Sequence, residues 1–442
     1  MKKISIGMLS LGCPKTLVDS ENILGLLPQR EFRIAGSVTS CDIAILNTCA
    51  FIQDAKEESI ERILELIELK KERRIRGILV VGCLVQRFPE ALRDELHEVD
   101  GFIGSGDYRK VPEMLRSIAQ GKPASFLSGP GYLAFAGDRR IALTPRHYRY
   151  LKISEGCDRL CSFCSIPNFR GRYRSREVPD LVKEVRLMVR EGAREIILTG
   201  QDLTGFGKDT HQRELLPQLI RRVERISRLK WIRLLYAHPA SVSSALIDLY
   251  RDCGKLCRYL DIPLQHISDP VLRRMRRGIS QKRTCELLST IRRKVPGIAL
   301  RTTFIVGFPG ETDKDFRELL DFMKVMRFER LGVFMYSREE GTAAAAFPDQ
   351  IPPKIKEERW HQAMKLQQEI ARSLNQEWIG RTVECIIDER DKGRGHWLGR
   401  TFMDAPEVDG MVTVTSSRPL QIGGIYPVQI QGAKEYDLVG KI

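Results

Sequence analysis

The sequence predicts an α/β protein with three parts: an N-terminal parallel α/β domain, a partial, TIM-like (βα)6 barrel and a C-terminal antiparallel β-barrel. Three observations support this architecture. Apolar runs alternate with amphipathic helical patterns as far as residue 375, which favours parallel sheets covered by helices. Six such strand–helix units lie between residues 143 and 374. After residue 376, short alternating runs are separated by Gly and Pro turns, as in a small antiparallel barrel.

The first domain is predicted over residues 4–118, with three apolar runs that each end in a turn containing a cysteine. These cysteines are Cys13, Cys49 and Cys83. The carboxyl ends of parallel strands open onto one crevice, so we expect the three thiols to converge there. Spacing alone leaves two interpretations open, a three-thiolate metal site and three unrelated buried cysteines.

The same domain contains a strongly amphipathic helical pattern between its second and third apolar runs. Its apolar face is predicted to consist of Ile60, Ile63, Leu64 and Ile67, with glutamates opposite. Residues 119–142 are rich in Gly, Pro, Ser and Ala, which indicates a linker to the second domain.

The second domain is predicted over residues 143–374, and its first strand leads into a loop with three closely spaced cysteines. Cys157, Cys161 and Cys164 form a C-x3-C-x2-C run. Thiolates select iron–sulfur clusters, zinc or copper(I). A structural zinc site normally has four protein ligands, and no fourth Cys or His lies nearby in the sequence. A four-iron cluster with one open iron fits this spacing, and a zinc loop that stabilises the fold is the alternative.

The net charge of +15 is concentrated in the middle of the chain. Residues 141–375 hold 44 Lys and Arg against 28 Asp and Glu, whereas residues 1–140 and 376–442 carry +1 and −2. Such a field favours a polyanion such as RNA, and a merely solvated surface is the alternative. The densest basic run is residues 273–277.

The cysteine content and the hydropathy of the chain indicate in which cellular compartment the protein is expected. The 11 cysteines are an odd number in a large, lysine-rich chain, which favours a reducing cytoplasm with metal-bound thiols. No apolar stretch approaches the roughly 20 residues that cross a membrane, so no membrane partner is expected. We expect Cys41, Cys253, Cys257, Cys285 and Cys385 to be ordinary core thiols.

The cysteine loop resembles the cluster-binding motif of the radical S-adenosylmethionine (SAM) enzymes, and nearly the whole chain is similar to their methylthiotransferase family. The similar stretches are LGCPKTLVDSE at 11–21, LTPRHYRYLKISEGC at 143–157, CSIPNFRG at 164–171, DIPLQHISD at 261–269, RTTFIVGFPGET at 301–312 and APEVDG at 405–410. Thr16 stands where asparagine is more usual in the branch of the family that these stretches match.

This resemblance implies three domains, with a C-terminal TRAM domain at residues 376–442, and two 4Fe-4S clusters. One cluster would be held by Cys13, Cys49 and Cys83, and the other by Cys157, Cys161 and Cys164. SAM would serve both as methyl donor and as radical source. The positions expected to contact SAM are Gln201, Gln265, Arg301 and Gly307, because polar groups and glycines at the strand ends of such a barrel surround its active site.

The matching branch modifies the β-carbon of an aspartate in ribosomal protein S12, which implies contact with the small ribosomal subunit, an electron donor and ribosomal RNA. The other branch acts on adenosine beside a tRNA anticodon and is the alternative substrate. A TRAM domain that grips tRNA should be basic, whereas residues 376–442 carry −2. A non-catalytic RNA-binding protein with two metal-stabilised folds is the alternative from another class.

Overall fold

The structure is a computed structural model that describes residues 3–391, 393 and 395–442. It divides into two compact units. The first unit takes in the chain up to Leu143 together with Lys152–Glu184 and Glu339–Thr342. The second unit consists of Thr144–Leu151, Val185–Arg338 and Ala343–Ile442.

Nineteen strands are present in the described residues. In chain order they are β1 (Ile4–Ser10), β2 (Phe32–Ile34), β3 (Ile43–Thr48), β4 (Gly77–Gly82), β5 (Gly101–Gly104), β6 (Ala124–Phe126), β7 (Tyr148–Lys152), β8 (Ser154–Glu155), β9 (Arg174–Ser175), β10 (Glu195–Thr199), β11 (Trp231–Leu234), β12 (Leu256–Asp261), β13 (Ala299–Val306), β14 (Arg330–Met335), β15 (Thr382–Arg390), β16 (Trp397–Thr401), β17 (Val412–Thr415), β18 (Ile425–Ala433) and β19 (Leu438–Lys441).

The α-helices of the described residues alternate with the strands of both parallel sheets. They are α1 (Pro14–Leu26), α2 (Gln53–Lys71), α3 (Cys83–Arg87), α4 (Pro89–Glu95), α5 (Val111–Ala119), α6 (Ile166–Arg170), α7 (Val178–Arg190), α8 (Lys208–His211), α9 (Leu216–Glu224), α10 (Ser244–Asp252), α11 (Asp269–Arg274), α12 (Gln281–Lys294), α13 (Asp313–Met326) and α14 (Pro353–Gln376). Within the described ranges, no helix is both long and apolar enough to span a membrane.

The first sheet is entirely parallel, with strand order β2-β1-β3-β4-β5-β6, which confirms the predicted N-terminal α/β fold. Every residue of β3 and β4 is buried, as expected for strands covered on both faces. Ala44 and Leu46 pack into one core, whereas Ile43 and Ile45 pack into the other, so alternate residues fill opposite sides of the sheet.

Helix α2 covers one face of this sheet through Ile63, Leu66 and Ile67, which are all buried. The predicted apolar face was wrong at one position, because Leu64 is 49% exposed. Successive helical residues are separated by about 100° around the axis. Leu64 therefore points away from the sheet. Leu66, three residues after Ile63, is the leucine of this helix that faces the sheet.

The second sheet has the order β14-β13-β12-β11-β10-β7, and its strands from β10 to β14 pair in parallel. This open, six-stranded sheet with intervening helices confirms the predicted partial barrel. Glu195, at the start of β10, is fully buried and binds Arg233 of β11 at 2.7 Å and Arg400 of β16 at 2.9 Å. This buried ion pairing fixes the C-terminal barrel against the sheet within the second unit.

The C-terminal strands form a closed barrel with the order β15-β16-β17-β19-β18. The predicted barrel is confirmed, but it is not purely antiparallel, because β17 and β19 pair in parallel. Five strands closed into a ring cannot alternate in direction all the way round, so one parallel pair is unavoidable. The sequence pattern had shown only three of these strands.

The neighbouring residues Ile63 and Leu64 give a matched test of this packing. Ile63→Ala should lower the free energy of unfolding by about 2–5 kcal/mol, because it leaves a cavity in a closed core. Leu64→Ala should change it by no more than about 0.5 kcal/mol, as is usual for exposed positions. Urea unfolding followed by circular dichroism measures both. Equal effects of the two substitutions would contradict the packing of α2.

Candidate active site

Cys13, Cys49 and Cys83 lie at the carboxyl ends of β1, β3 and β4, which are adjacent in the first sheet. Cys13 immediately precedes α1, and its carbonyl accepts a hydrogen bond from Thr16 Oγ1 at 2.6 Å. Cys49 directly follows β3, and Cys83 opens α3. Because neighbouring parallel strands end at the same edge, the fold brings these three thiols to one side of the sheet.

Two glycines allow the chain to turn tightly at this edge. Gly12 has φ +86°, and a Cβ added there would lie 2.7 Å from the Cys49 Cβ. Gly82 has φ +105°, and a Cβ there would lie 2.3 Å from Asn47 Oδ1. Both positions therefore require glycine. The turn before Cys13 is packed directly against Cys49.

The three thiols interact electrostatically with one another. Burial raises the pKa of Cys83 to about 12; Arg170 opposes this increase, whereas Cys49 and Cys13 add to it. Burial also raises the pKa of Cys49, with Cys13 as the second cause. Burial acts to raise the pKa of Cys13 too, but the positive charges of Lys15 and Arg170, together with hydrogen bonds, lower it below its ordinary value. Ionisation of Cys13 thus opposes ionisation of both Cys49 and Cys83.

Arg170 is the cation beside this trio. It is the last residue of α6 and is buried, and its Nη2 and Nε atoms lie 2.9 and 3.3 Å from Cys83 Sγ. Phe169 beside it packs into the apolar core that contains Cys83. The short helix after the second cysteine loop is therefore anchored on the first sheet within the first unit.

Arg170 also belongs to a buried cluster of four charged side chains. Its Nη1 lies 2.9 Å from Asp19 Oδ2 and 3.3 Å from Glu155 Oε1. Lys152 contacts Asp19 as well, and its Nζ lies 2.6 Å from Glu155 Oε2. All four side chains are almost completely buried. Two positive and two negative charges balance, which is the condition for keeping such groups out of water.

The second trio lies in the loop between β8 and α6. The Cys157 backbone N–H donates to the Gly171 carbonyl at 3.1 Å, and the Cys164 N–H donates to the Cys161 carbonyl at 3.1 Å. Cys157 is buried, whereas Cys161 and Cys164 are partly exposed. Gly171 follows Arg170 in the chain. One hydrogen bond and one peptide bond therefore connect Cys157 to the arginine that contacts Cys83, all within the first unit.

The donor chemistry of both trios suits an iron–sulfur cluster. None of the 11 cysteines forms a disulfide, so all six candidate ligands are thiols. Within the part of the chain that the structure describes, no three His, Cys, Asp or Glu side chains are grouped as they would be around a single metal ion. A 4Fe-4S cluster places a different iron on each cysteine and so needs a wider arrangement. Cysteine thiolates are the ligands that hold iron–sulfur clusters, so the donor set of each trio fits such a cluster.

Three of the four residues predicted to contact SAM lie at the carboxyl rim of the second sheet. Gln201 follows β10, Gln265 follows β12 and Gly307 follows β13. Gln265 has φ +75°, unusual for a residue other than glycine, and its Oε1 is buried without a hydrogen-bond partner among the described residues. A strained backbone and an unsatisfied buried oxygen are typical of ligand sites.

Gly307 begins a turn that is held by Glu311. The Glu311 Oε2 atom accepts hydrogen bonds from the backbone N–H groups of Gly307, at 2.9 Å, and Phe308, at 3.3 Å, while Arg359 binds its Oε1 at 2.7 Å. A Cβ at Gly307, where φ is +69°, would lie 2.4 Å from Lys356 Cγ. Any larger residue at position 307 would therefore collide with the Lys356 side chain.

Arg301 occupies a different place from the other three. It is the third residue of β13, roughly 16 Å from the carboxyl end of the strand at 3.3 Å per residue. Its guanidinium binds Asp261 at 3.0 Å and Asp409 at 3.2 Å. These contacts give Arg301 a structural role between the sheet and the C-terminal barrel. They do not support its predicted contact with SAM, which stays a prediction.

The other five cysteines belong to neither trio. Cys41, Cys253, Cys257 and Cys385 are buried, and Cys285 on α12 is partly buried, as expected of core thiols. Burial raises the pKa of Cys257 to about 12. Such thiols are protonated and unreactive near neutral pH.

Family comparisons agree with this arrangement along the whole chain. The model described as the Radical SAM superfamily matches residues 151–323, which include the second trio. The model described as Uncharacterized protein family UPF0004 matches residues 5–104, which include the first trio. The TRAM domain model matches residues 379–442, which form the closed barrel. The domains and the two trios together define a radical SAM methylthiotransferase.

Curated relatives identify the family within this class. The chain is 45% identical to the ribosomal protein uS12 methylthiotransferase RimO of Desulforamulus reducens, over 99% of both chains. It is also 45% identical, again over 99% of both chains, to the RimO of Pelotomaculum thermopropionicum. The chain belongs to the RimO family. This membership implies SAM and 4Fe-4S clusters as cofactors.

Solved structures share the fold at low sequence identity. The radical SAM methyltransferase TsrM from Kitasatospora setae, with cobalamin and a 4Fe-4S cluster bound, matches with a TM-score of 0.56 and 14% identity. The match covers 84% of this chain and 89% of TsrM. The cobalamin-dependent SAM radical enzyme OxsB matches with a TM-score of 0.51 and 15% identity over 83% of this chain and 56% of OxsB.

Arg170 and its charged partners were missed by the reasoning from sequence. All four residues lie inside the stretches at 11–21, 143–157 and 164–171 that carried the family resemblance. A usable signal was Lys152 at the end of β7, a strand that is buried throughout although it also contains Arg149, since an unpaired charge is not tolerated in a buried strand. Its partner Glu155 is only three residues away, but Asp19 is 133 residues away, so the pattern alone could not supply the whole cluster.

Removing the Arg170 charge should destabilise the first unit. Arg170→Met should lower the free energy of unfolding by about 3–5 kcal/mol, because Asp19 and Glu155 would keep only Lys152 to balance them. Arg170→Lys retains the charge and should cost less. Arg172→Met, at an exposed arginine two residues along, is the control and should be close to neutral. The urea midpoint of unfolding of each apoprotein measures the stability of these three variants. Equal stability of Arg170→Met and Arg172→Met would rule out the buried cluster.

Proposed function

We propose that this protein transfers a methylthio group to the β-carbon of an aspartate in ribosomal protein uS12. The observation that carries the proposal is the placement of two cysteine trios in one compact unit, with Arg170 connecting their surroundings. Membership of the RimO family supports the substrate, because the relatives named above are uS12 methylthiotransferases.

The proposed reaction explains why the chain carries radical chemistry. A β-C–H bond of aspartate has no useful acidity, so a general base cannot activate it. When bound, SAM and the two clusters would supply hydrogen-atom abstraction, sulfur and a methyl group. We assign Cys157, Cys161 and Cys164 to the cluster that acts with SAM. We assign Cys13, Cys49 and Cys83 to the cluster from which sulfur is delivered.

Arg170 acts as a positioning residue for the first trio. Its guanidinium lies against Cys83 Sγ and places a fixed positive charge there, which offsets the negative charge of a thiolate ligand. Asp19 and Glu155 hold the guanidinium from the other side. The arginine therefore keeps its orientation whether or not the thiol is ionised.

Burial around the first trio keeps water away from the reacting groups. Cys49 and Cys83 are only 8% and 6% exposed and lie on apolar side chains, whereas Cys13 is partly exposed. Exclusion of water protects reactive intermediates from side reactions. In the second unit, we propose that Gln201, Gln265 and Gly307 contribute to the SAM site. Arg301 stays a predicted contact, although Asp261 and Asp409 already bind its guanidinium.

The C-terminal barrel supports a basic protein substrate better than a tRNA. Residues 376–442 carry −2, and electrostatic complementarity favours a basic partner such as a ribosomal protein. Glu407 is exposed, and although its Oε1 accepts a hydrogen bond from the Tyr148 hydroxyl at 3.0 Å, its carboxylate can still face such a partner. Asp409 does not, because its side chain is 4% exposed and binds Arg301 and Tyr259. We therefore expect recognition at Glu407 and its exposed neighbours.

The proposal includes further partners and a domain division. We expect uS12 to be modified within the small ribosomal subunit, with contact to ribosomal RNA, and an electron donor to reduce the clusters. The functional domains are taken as residues 4–118, 143–374 and 376–442. The tRNA alternative is not favoured, because full-length relatives at 45% identity are named as uS12 enzymes.

Cysteine variants should separate the roles of the two trios. Cys161→Ala should abolish both the cleavage of SAM to 5′-deoxyadenosine and all modified product. Cys49→Ala should leave SAM cleavage intact and abolish sulfur insertion. Cys285→Ala, on α12, is the control and should retain both activities. Chromatography of 5′-deoxyadenosine and peptide mass spectrometry provide the measurements. Sulfur insertion that survives in Cys49→Ala would disprove the role given to the first trio.

The substrate can be tested in a strain that lacks the gene. Mass spectrometry of ribosomal protein uS12 should show the loss of one methylthio group on an aspartate, and expression of the wild-type chain should restore it. The methylthioadenosine content of tRNA should be the same in both strains. A change confined to tRNA would reverse the assignment of substrate.

A further inference from the structure

Five arginines line one surface cleft of about 450 Å³ in the second unit. Arg186 and Arg190 lie one turn apart on α7, Arg222 lies on α9, and Arg225 and Arg228 follow that helix. All five side chains are exposed. We call these five residues the arginine surface.

The arginine surface is not neutralised by the protein itself. In the described part of the chain, none of the five guanidinium groups forms an ion pair with a carboxylate, whereas the neighbouring Arg221 lies 3.6 Å from both Glu224 and Asp252. Five uncompensated positive charges around one cleft create a strong local field. Such a field favours a polyanionic partner.

A second cleft extends the positive surface. Arg228 also lines this cleft of about 960 Å³, together with Arg146, Arg194, Lys230 and Lys255. Glu384 lines it too, so five basic side chains there face one carboxylate. Its far wall is formed by residues 421–425 of the C-terminal barrel. Side chains of the second cleft donate hydrogen bonds to the backbone of residues 226–228. Arg194 Nη1 donates to the Arg228 carbonyl at 3.2 Å, and Lys255 Nζ donates to the Ile226 carbonyl at 2.8 Å. The shared Arg228 makes the two clefts one continuous basic face.

This basic face lies at the end of the second sheet opposite the proposed SAM contacts. Arg194, Lys230 and Lys255 immediately precede β10, β11 and β12, so they mark the amino ends of three parallel strands. Gln201 and Gln265 follow the carboxyl ends. Strands of four to six residues separate the two ends by roughly 13–20 Å. A large partner can therefore occupy the basic face without covering the SAM end.

We propose that the arginine surface and the second cleft bind the phosphate backbone of RNA, which in the small subunit is the ribosomal RNA beside the substrate protein. This inference rests on the proposed function. Guanidinium groups match phosphate in paired hydrogen bonds, and all five cations of the first cleft are arginines. An acidic protein fits the arginine surface less well, because protein interfaces need an apolar centre and only Val189 and Ile226 are apolar in that first cleft.

A triple variant with a matched control tests the proposal in the full-length, cluster-loaded protein. The test variant is Arg222→Gln, Arg225→Gln and Arg228→Gln. The control is Arg33→Gln, Arg73→Gln and Arg76→Gln, which removes the same charge from exposed positions of the first unit. The probes are small ribosomal subunits, naked small-subunit ribosomal RNA and isolated uS12 protein, each titrated at several KCl concentrations.

The test variant should bind the subunit and the naked RNA at least about tenfold more weakly than the control. The slope of log affinity against log salt should become shallower by about two to three, because each lost phosphate contact removes nearly one released counterion. Affinity for isolated uS12 and cleavage of SAM should not change. A variant that matches the control on RNA would overturn the proposal, as would an equal loss of affinity for isolated uS12.

The outcome is separable from failure of the proposed function. If the wild-type protein left uS12 unmodified in every form, the substrate assignment would fail. The salt dependence of binding to naked RNA would still report on the arginine surface. If instead uS12 is modified but the triple variant acts on subunits as well as the control does, only the RNA-binding inference fails.

Discussion

The buried contacts of Arg170 with Cys83, Asp19 and Glu155 are the interactions on which the first unit depends. The guanidinium meets Cys83 Sγ on one side and the carboxylates of Asp19 and Glu155 on the other, and Lys152 completes the charge balance. Charges this deeply buried persist only when every partner is present. The segment after the second cysteine loop is consequently fixed to the sheet that presents the first trio.

This constraint fixes the position of the two trios relative to each other within the first unit. Each set of thiols comes from a different type of element: three strand ends of a parallel sheet, and one short loop closed by the Cys157–Gly171 hydrogen bond. Strand ends and short loops are separately rigid, and Arg170 is one of the contacts that relate one to the other, together with Phe169 in the core around Cys83 and the Ser105 hydroxyl, which donates to the Phe169 carbonyl. Catalysis that passes sulfur to a carbon radical needs such a fixed relation, because a small misplacement lowers rates steeply.

Much of the fold could be predicted, because buried strands and amphipathic helices have strong periodic patterns. The run at residues 195–199 coincides with β10, whereas the short edge strands β2 and β6 have too few residues for a pattern. The cysteine ligands could be proposed from their spacing in the sequence.

The role of Arg170 could not be predicted, because its partners are up to 151 residues away in the sequence. Likewise, the dense basic run at 273–277 contains the buried Arg277, while the arginine surface is assembled from separate helices.

The magnetic interaction between the two clusters tests most directly whether the two trios lie close together. After anaerobic reconstitution and reduction, the wild-type protein should give an electron paramagnetic resonance spectrum that is broadened and fast-relaxing, because two paramagnetic clusters lie in one compact unit. Variants that lack either cysteine trio should each give the simple spectrum of one isolated cluster. A wild-type spectrum equal to the sum of those two simple spectra would show that the trios are far apart and would contradict this account.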